Sequence, residues 1–238
     1  MRFKRVISTI LAIVVACFAC GGVLAVEGMN SDPNAPDLYD AQRLEQVNGT
    51  NQKIDAYIAM KQNTRSSSSN GLAVPLYQQE LTYYCGPACV QMAVSYITGT
   101  KYSQSTLANY MNTSSNGGTY VYQIRNGLNA YTSAGAYEYV TTSESSFSSS
   151  LIYSVDHGKP VICHVMTGGL PNYSGASNTG HYIVARAYYV AFSGSSYTTT
   201  CQYNDPHYNS NYYGIYTCDM TVMLNAINAN AGYFIRGT

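Results

Sequence analysis

Residues 79–99 read QELTYYCGPACVQMAVSYITG, a stretch that sets one cysteine where a loop turns into a buried helix. Gly86 and Pro87 follow Cys85 directly. Proline is admitted in a first helical turn, because the N–H it lacks would have no intrahelical partner there. The pattern therefore predicts Cys85 at a helix N-terminus. Cys89, Val90, Met92, Ala93, Val94 and Tyr96 then place apolar groups on every face, as in a helix enclosed by protein, and Gly99 is the expected stop. A thiol at such a start meets the positive end of the helix dipole, roughly +0.5 of a charge, and unpaired N–H groups, which favour its thiolate. A lone cysteine is more often a small buried hydrophobe, so a nucleophilic role requires partners from elsewhere in the chain.

Upstream, Arg2, Lys4 and Arg5 precede an apolar run from Val6 to Phe18, and Val23-Leu24-Ala25 offers the small residues that a signal peptidase reads. Residues 1–25 are expected to be a signal peptide, with the mature chain starting at Val26 and secreted or held at the cell surface. Gly21 and Gly22 end the apolar run short of the ~20 residues that a membrane span needs, so no membrane span is expected in the mature chain. Val14-Val15-Ala16-Cys17 supports a second reading, a lipoprotein with Cys17 lipidated. Without the three basic residues of the signal, nine Lys and Arg stand against 12 Asp and Glu, a net charge near −3. No basic stripe remains for nucleic acid. Charged residues make up only 10% of the chain, and 25 tyrosines with many Ser, Thr and Asn supply its polarity, a composition suited to an extracellular protein.

Five cysteines survive removal of the signal: Cys85, Cys89, Cys163, Cys201 and Cys218. In an oxidising compartment an odd count leaves one thiol free, and Cys85 is the candidate. Cys201 and Cys218 flank a tyrosine-rich excursion and are the pair expected to be bridged. Residues 26–62 read as a lead segment or pro-region whose helical pattern breaks at Asn48-Gly49, and the serine-rich residues 63–73 read as a flexible linker. Residues 74–238 then form one globular unit of a size that buries a real core.

Within that unit the first half reads helical: the Cys85 helix, a short helix capped by Ser103 and running through Met111, then Tyr120 to Tyr131. The second half reads as strands at Pro160–Val165, His181–Phe192, Tyr197–Tyr203, Tyr212–Cys218 and Gly232–Arg236, with a helix at Thr221–Ile227 behind a capping Asp219. Helices first and an antiparallel sheet afterwards is an α+β arrangement.

A thiolate nucleophile needs an imidazole beside it and a group to orient that imidazole. Of the four histidines, His157 lies in a turn, His164 inside a strand and His207 in a polar loop. His181 opens a strand after Gly180 and is best placed to reach a site from a rigid element. Facing residues of an antiparallel hairpin have numbers with a constant sum, and the midpoint of His181 and Asp205 falls at the expected Ser193-Gly194 turn. The hairpin thus returns Asp205 to His181, within about 10 Å or less along the strands, a gap that a bulge corrects.

Gln79-x5-Cys85-Gly86-Pro87-Ala88, Gly158-Lys159-Pro160-Val161, Gly180-His181-Tyr182-Ile183-Val184 and Asn204-Asp205-Pro206 together resemble the papain-like peptidases of the bacteriocin-processing (double-glycine) type and their secreted relatives. Each motif is short, and four in the family's order are fairly specific. The resemblance spans about residues 74–234 and implies a papain-like α+β fold, N-terminal helices packed on an antiparallel sheet. It implies Cys85 as nucleophile, His181 as general base and acid, Asp205 as orienting group and Gln79, ahead of its neighbour Gln78, as side-chain donor to the oxyanion hole. Such a donor contributes ~3 kcal/mol in comparable sites. Two departures stand out. Tyr84 precedes the cysteine where the family often has an acidic residue or asparagine, which bears on substrate preference. The membrane and ATPase domains of the transporter-linked members are missing from this chain, which reads as a stand-alone protein.

The expectation is a secreted cysteine peptidase acting on a peptide or protein substrate, with neither metal nor organic cofactor. A zinc site on Cys85 and Cys89 is disfavoured by their x3 spacing on a buried helix and by the lack of a CxxC pair in the mature chain. HExxH is absent. Two alternatives stay open: a cell-wall peptide amidase or transpeptidase using the same triad, and a non-catalytic extracellular binding module that uses the tyrosine-rich surface.

Overall fold

The computed structural model describes residues 40–63, 66–193 and 196–238. The signal peptide expected at residues 1–25, and residues 26–39 after it, lie outside the described residues. Of the Ser193-Gly194 turn, Ser193 alone is described.

The architecture is α+β, as expected. Among the described residues, six α-helices and seven strands run in the order α1 (Asp40–Gln62), β1 (Ser68–Gly71), α2 (Cys85–Thr98), α3 (Gln104–Tyr110), α4 (Val121–Tyr131), β2 (Tyr137–Thr141), α5 (Phe147–Asp156), β3 (Val161–Met166), β4 (Gly180–Ser193), β5 (Ser196–Asp205), β6 (Gly214–Asp219), α6 (Met220–Asn228) and β7 (Tyr233–Gly237). Every described strand pairing is antiparallel, in the order β2-β7-β3-β4-β5-β6, with β1 added along β4. Among the described residues no helix is long and apolar enough to cross a membrane.

Helix α2 follows its sequence pattern closely. Residues 86–94 are all buried, and Gly99 ends the helix at φ 74°, donating its N–H to the Ser95 carbonyl. That left-handed turn is cheap for glycine and costly for other residues. α2 packs on β4 at the centre of the sheet, with α3 and α4 beside it. Ser103 caps α3 by accepting the Thr106 N–H at 3.1 Å. Asp219 occupies the N-cap position of α6 without forming a side-chain cap bond.

Three features depart from the sequence pattern. First, α1 runs unbroken through Asn48-Gly49. Val47 and Ile54 are buried, α1 packs on α5, and nothing lies within 4 Å of where a Gly49 side chain would stand. Tertiary packing here outweighs the ~1 kcal/mol that an exposed helical glycine costs. Second, the expected serine-rich linker contains a strand: Ser68–Gly71 pairs with Val190–Ala187 of β4. β3 occupies that edge of β4 only as far as Ala185, and backbone pairing with the remaining length depends little on side-chain composition. Third, β2 and α5 fall between Tyr131 and Pro160, where the sequence pattern predicts no element. Ser150 and Ser154 of α5 are fully buried because they bond to Arg236 Nη1 and the Gly237 N–H, so a serine-rich face that reads as solvated is internal.

α1 is fastened to the domain by polar anchors as well. Asp156 of α5 accepts from Tyr57 at 2.9 Å and from Lys61, and also from Asn70 and Tyr188, tying α1, β1 and β4 to one carboxylate. Arg236, fully buried, reaches Glu138, Ser145, Ser150 and the Val47 carbonyl. Cys201 and Cys218, the pair expected to be bridged, are direct register partners on β5 and β6, yet both carry free thiols.

Candidate active site

Cys85 is the first residue of α2, preceded by Tyr84 at the N-cap position with no side-chain cap bond. The Ala88 N–H to Tyr84 carbonyl bond, 2.9 Å, opens the helical ladder. The N–H groups of Cys85 and Gly86 precede it, and Pro87 has none to offer. The Gly86 and Tyr182 backbone N–H groups act on the Cys85 sulfur to favour its thiolate. Gly86 is needed for closeness. A β-carbon there would lie 2.7 Å from Thr119 Oγ1 and 2.9 Å from Thr119 Cβ, and Thr119 is held by the Tyr182 hydroxyl on its carbonyl and by Thr113 on its side chain.

His181, on β4, places Nε2 2.9 Å from Asp205 Oδ1 at the end of β5. His181 also stands close enough to Cys85 to favour its thiolate, and with Nε2 on the carboxylate, Nδ1 is the nitrogen left for the thiol. The hairpin geometry behaves as expected, with one adjustment. A bulge between Ala185 and Ala187 shifts the register, and Val184 faces Asn204. Asp205 therefore lies one step further on, across from Ile183, two residues or about 7 Å along the strand from His181 and on the same face. The side chains bridge that diagonal.

Asp205 is fully buried, and all its lone-pair directions are served. Oδ1 also accepts the His207 N–H at 3.0 Å, while Oδ2 accepts the Tyr173 hydroxyl at 2.9 Å and the Asn172 amide at 3.1 Å. Tyr203 in turn donates to Asn172 Oδ1 at 2.7 Å. Asn172 and Tyr173 escaped the sequence reading. They sit in a short 3-10 turn, Pro171–Tyr173, inside a glycine-, asparagine- and serine-rich loop with no periodicity to single them out.

The electrostatics follow from these contacts. Burial pushes the Cys85 thiol up, but the hydrogen bond and charge of His181, with the two backbone donors, bring it below its ordinary value. Burial alone would lower His181. The charge and hydrogen bond of Asp205, and then Cys85, raise it to about 10. The pair thus favours thiolate and imidazolium. Burial and the Asp205 charge push Tyr173 up, which keeps it a donor. By contrast, burial and neighbouring negative charge push Cys89 well up, so this second cysteine of α2 stays a thiol.

Gln79 is buried in the loop before α2. Its N–H donates to the Pro206 carbonyl at 2.7 Å, and its Nε2 donates to the Leu81 carbonyl at 2.8 Å, which also receives the Tyr84 N–H. Its side chain is therefore tied to the turn that leads into Cys85. Gln78, the neighbouring candidate, is spent on the His207 and Tyr208 carbonyls. The other histidines are elsewhere or secondary. His157 stacks on Tyr153 at the end of α5. His164 stacks on Tyr182 and is lowered to about 4 by burial and the nearby His181 charge. The His207 ring centroid is 5.4 Å from that of His181, and its Nδ1 accepts the Asn209 N–H.

A helix-borne thiol joined through an imidazole to a strand-borne carboxylate, on helices packed against an antiparallel sheet, is the arrangement of the papain-like cysteine peptidase class. The Peptidase_C39 like family model matches residues 71–231, and the chain belongs to that family. Gln79, Cys85, His181 and Asp205 all lie inside the matched span, whereas α1 lies outside it. Among solved structures, the chain is similar to the peptidase domain of Streptococcus ComA, a bi-functional ABC transporter involved in a quorum-sensing pathway. The identity is 20% and the TM-score 0.42, over 69% of this chain and 98% of that one. Comparison with curated proteins finds no match.

Proposed function

We propose that this chain is a secreted or cell-surface cysteine peptidase that hydrolyses peptide bonds through Cys85, His181 and Asp205, with Gln79 as oxyanion donor. The observation that carries this reading is the unbroken series from Cys85 to His181 to Asp205, in which the thiol is lowered and the imidazole is raised. In the mechanism, the Cys85 thiolate attacks the substrate carbonyl carbon and the C=O π electrons move onto oxygen. The Cys85 N–H and the remaining Gln79 Nε2 hydrogen stabilise that oxyanion. As the tetrahedral intermediate collapses, the C–N bond breaks and His181 gives its proton to the leaving amine, leaving a thioester. Neutral His181 then takes a proton from water, whose oxygen attacks the thioester, and the Cys85 thiolate is expelled with the carboxylic acid product. Asp205 keeps the imidazole in the orientation and tautomer both steps require.

Secretion rests on the basic and apolar pattern of residues 1–25. The test is digestion of a peptide library by wild type and Cys85→Ala. Cleavage of general peptides that is lost in the variant supports the peptidase. Activity confined to cell-wall peptides or acyl acceptors replaces it with the amidase or transpeptidase, and two silent proteins that still bind a partner replace it with a binding module.

A further inference from the structure

Gln79 must present an amide hydrogen at a defined point although it sits in a loop without regular secondary structure, between Leu72 and Cys85. The structure shows how that loop is held. Gln104, the first residue of α3 and 1% exposed, binds the backbone on both sides of Gln79. Its Oε1 accepts the Glu80 N–H at 2.9 Å, and its Nε2 donates to the Gln78 carbonyl at 2.8 Å. The other Nε2 hydrogen goes to Gln91 Oε1 at 3.1 Å, and Gln91 donates to the Tyr102 carbonyl at 2.6 Å. Gln91 is itself buried on α2, the helix that begins at Cys85. One side-chain amide thus spans the residues flanking Gln79 and fastens them to the nucleophile's own helix. The Gln79 N–H to Pro206 bond fastens the same point to the loop after Asp205. Gln79 Nε2 keeps one hydrogen beyond its bond to Leu81, and among the described residues its buried Oε1 has no hydrogen-bond partner.

We infer that Gln104, backed by Gln91, is a positioning residue for the Gln79 amide: it fixes the oxyanion donor relative to Cys85. The inference rests on the peptidase reading above. Preorganised donors work because they need no rearrangement when charge develops, and a shift of about 1 Å in such a group costs on the order of 10²-fold in rate. Gln104 does not touch the thiol or the imidazole in this arrangement. Its loss therefore acts on the transition state and spares the thiolate.

The experiment compares wild type, Gln79→Ala, Gln104→Leu, Gln104→Glu and the Gln79→Ala/Gln104→Leu double variant. Peptide hydrolysis gives kcat and KM, and iodoacetamide alkylation of Cys85 across pH gives a separate readout of the thiolate. Gln104→Leu is expected to lower kcat about 10- to 100-fold, with KM changed by less than about twofold and the alkylation profile unchanged. Gln104→Glu, which keeps an acceptor for the Glu80 N–H but turns a carboxylate oxygen towards the Gln78 carbonyl and Gln91 Oε1, should lose at least as much as Gln104→Leu. The double variant should be little worse than Gln79→Ala, since both changes remove one contribution. The positioning role is overturned if Gln79→Ala lowers kcat and Gln104→Leu does not, if the two losses multiply, or if alkylation falls together with kcat. If Gln104→Leu fails to fold, Gln104→Glu and Gln91→Leu carry the same comparison. A wild type that cleaves nothing, or a Gln79→Ala variant with full kcat, defeats the peptidase or oxyanion reading first, and the positioning role with it.

Discussion

Replacing Asp205 by asparagine keeps the outline of the side chain and removes its charge. In the folded protein His181 is held at about 10 against an ordinary 6.5, although burial works in the opposite direction. At ~1.36 kcal/mol per unit the net displacement is worth roughly 5 kcal/mol in favour of imidazolium. The Asp205 charge and hydrogen bond are the largest contributions raising it, with Cys85 following. Losing about half of that preference weakens the thiolate–imidazolium pair by roughly 2–3 kcal/mol, on the order of 10²-fold. Two assays read the change: the rate of Cys85 alkylation by iodoacetamide, and kcat/KM for peptide hydrolysis, each followed from acid to alkaline pH. In wild type the acid limb of both assays lies below the ordinary thiol value, and hydrolysis alone has an alkaline limb, near 10, where His181 loses the proton needed by the leaving amine. In Asp205→Asn the acid limb moves up and the alkaline limb down, so the active window narrows from both sides. Stability does not mirror this profile. Taken singly, the His181 contribution is full below 6.5 and is lost as pH rises through about 10, whereas that of Cys85 is full above 9.0 and is lost as pH falls through its lowered folded value. Where both act, the folded chain holds on His181 the proton that the unfolded chain holds on Cys85, and the two slopes cancel. A folded Asp205→Asn variant with both limbs unmoved, within about half a unit, would refute the argument that this carboxylate holds the imidazolium.

Gly86→Ala brings a β-carbon to 2.7 Å from Thr119 Oγ1 and 2.9 Å from its Cβ. The expected outcome is about 1–3 kcal/mol of lost stability by urea unfolding, with a fall in kcat larger than the change in KM because the start of α2 is displaced. Asp156→Ala releases α1, β1 and β4 from their shared acceptor and should cost about 3 kcal/mol at neutral pH, with peptidase activity retained where the variant stays folded. Burial raises the Asp156 carboxyl, but its donors, Lys61 foremost, hold it below 3.8. The wild-type advantage is therefore present above that value and lost as pH falls through the lowered one. Urea midpoints for both proteins across the acid range check this.

The proposed nucleophile, imidazole and carboxylate, and the helix that carries the thiol, were legible in the sequence because the physics behind them is local, whereas Gln79 was proposed only from the spacing of the family it resembles. A proline two residues after a cysteine marks a helix start whatever surrounds it. An all-apolar α2 has to be enclosed. A hairpin turn near residue 193 returns Asp205 to the neighbourhood of His181 by counting alone, and the observed bulge between Ala185 and Ala187 makes only a local correction. Asn48-Gly49 and the serine run misled for the converse reason: composition and propensity are weak forces. The burial of Val47 and Ile54 and an unoccupied length of β4 overrode them.

Tertiary structure alone decided which side chains serve the site from a distance. Tyr173 and Asn172 reach Asp205 from a loop more than thirty residues away, and Gln104 meets the backbone around Gln79 across 24 to 26 residues. Hydrogen bonds of this kind form because burial leaves a carboxylate or a loop amide without water, so a partner must be supplied from whatever the fold brings near. Such a partner needs no periodicity and no fixed spacing, and nothing along the chain marks it. The sequence by itself determined the chemistry available and the scaffold type that displays it; packing in three dimensions determined the supporting polar shell and the docking of α1.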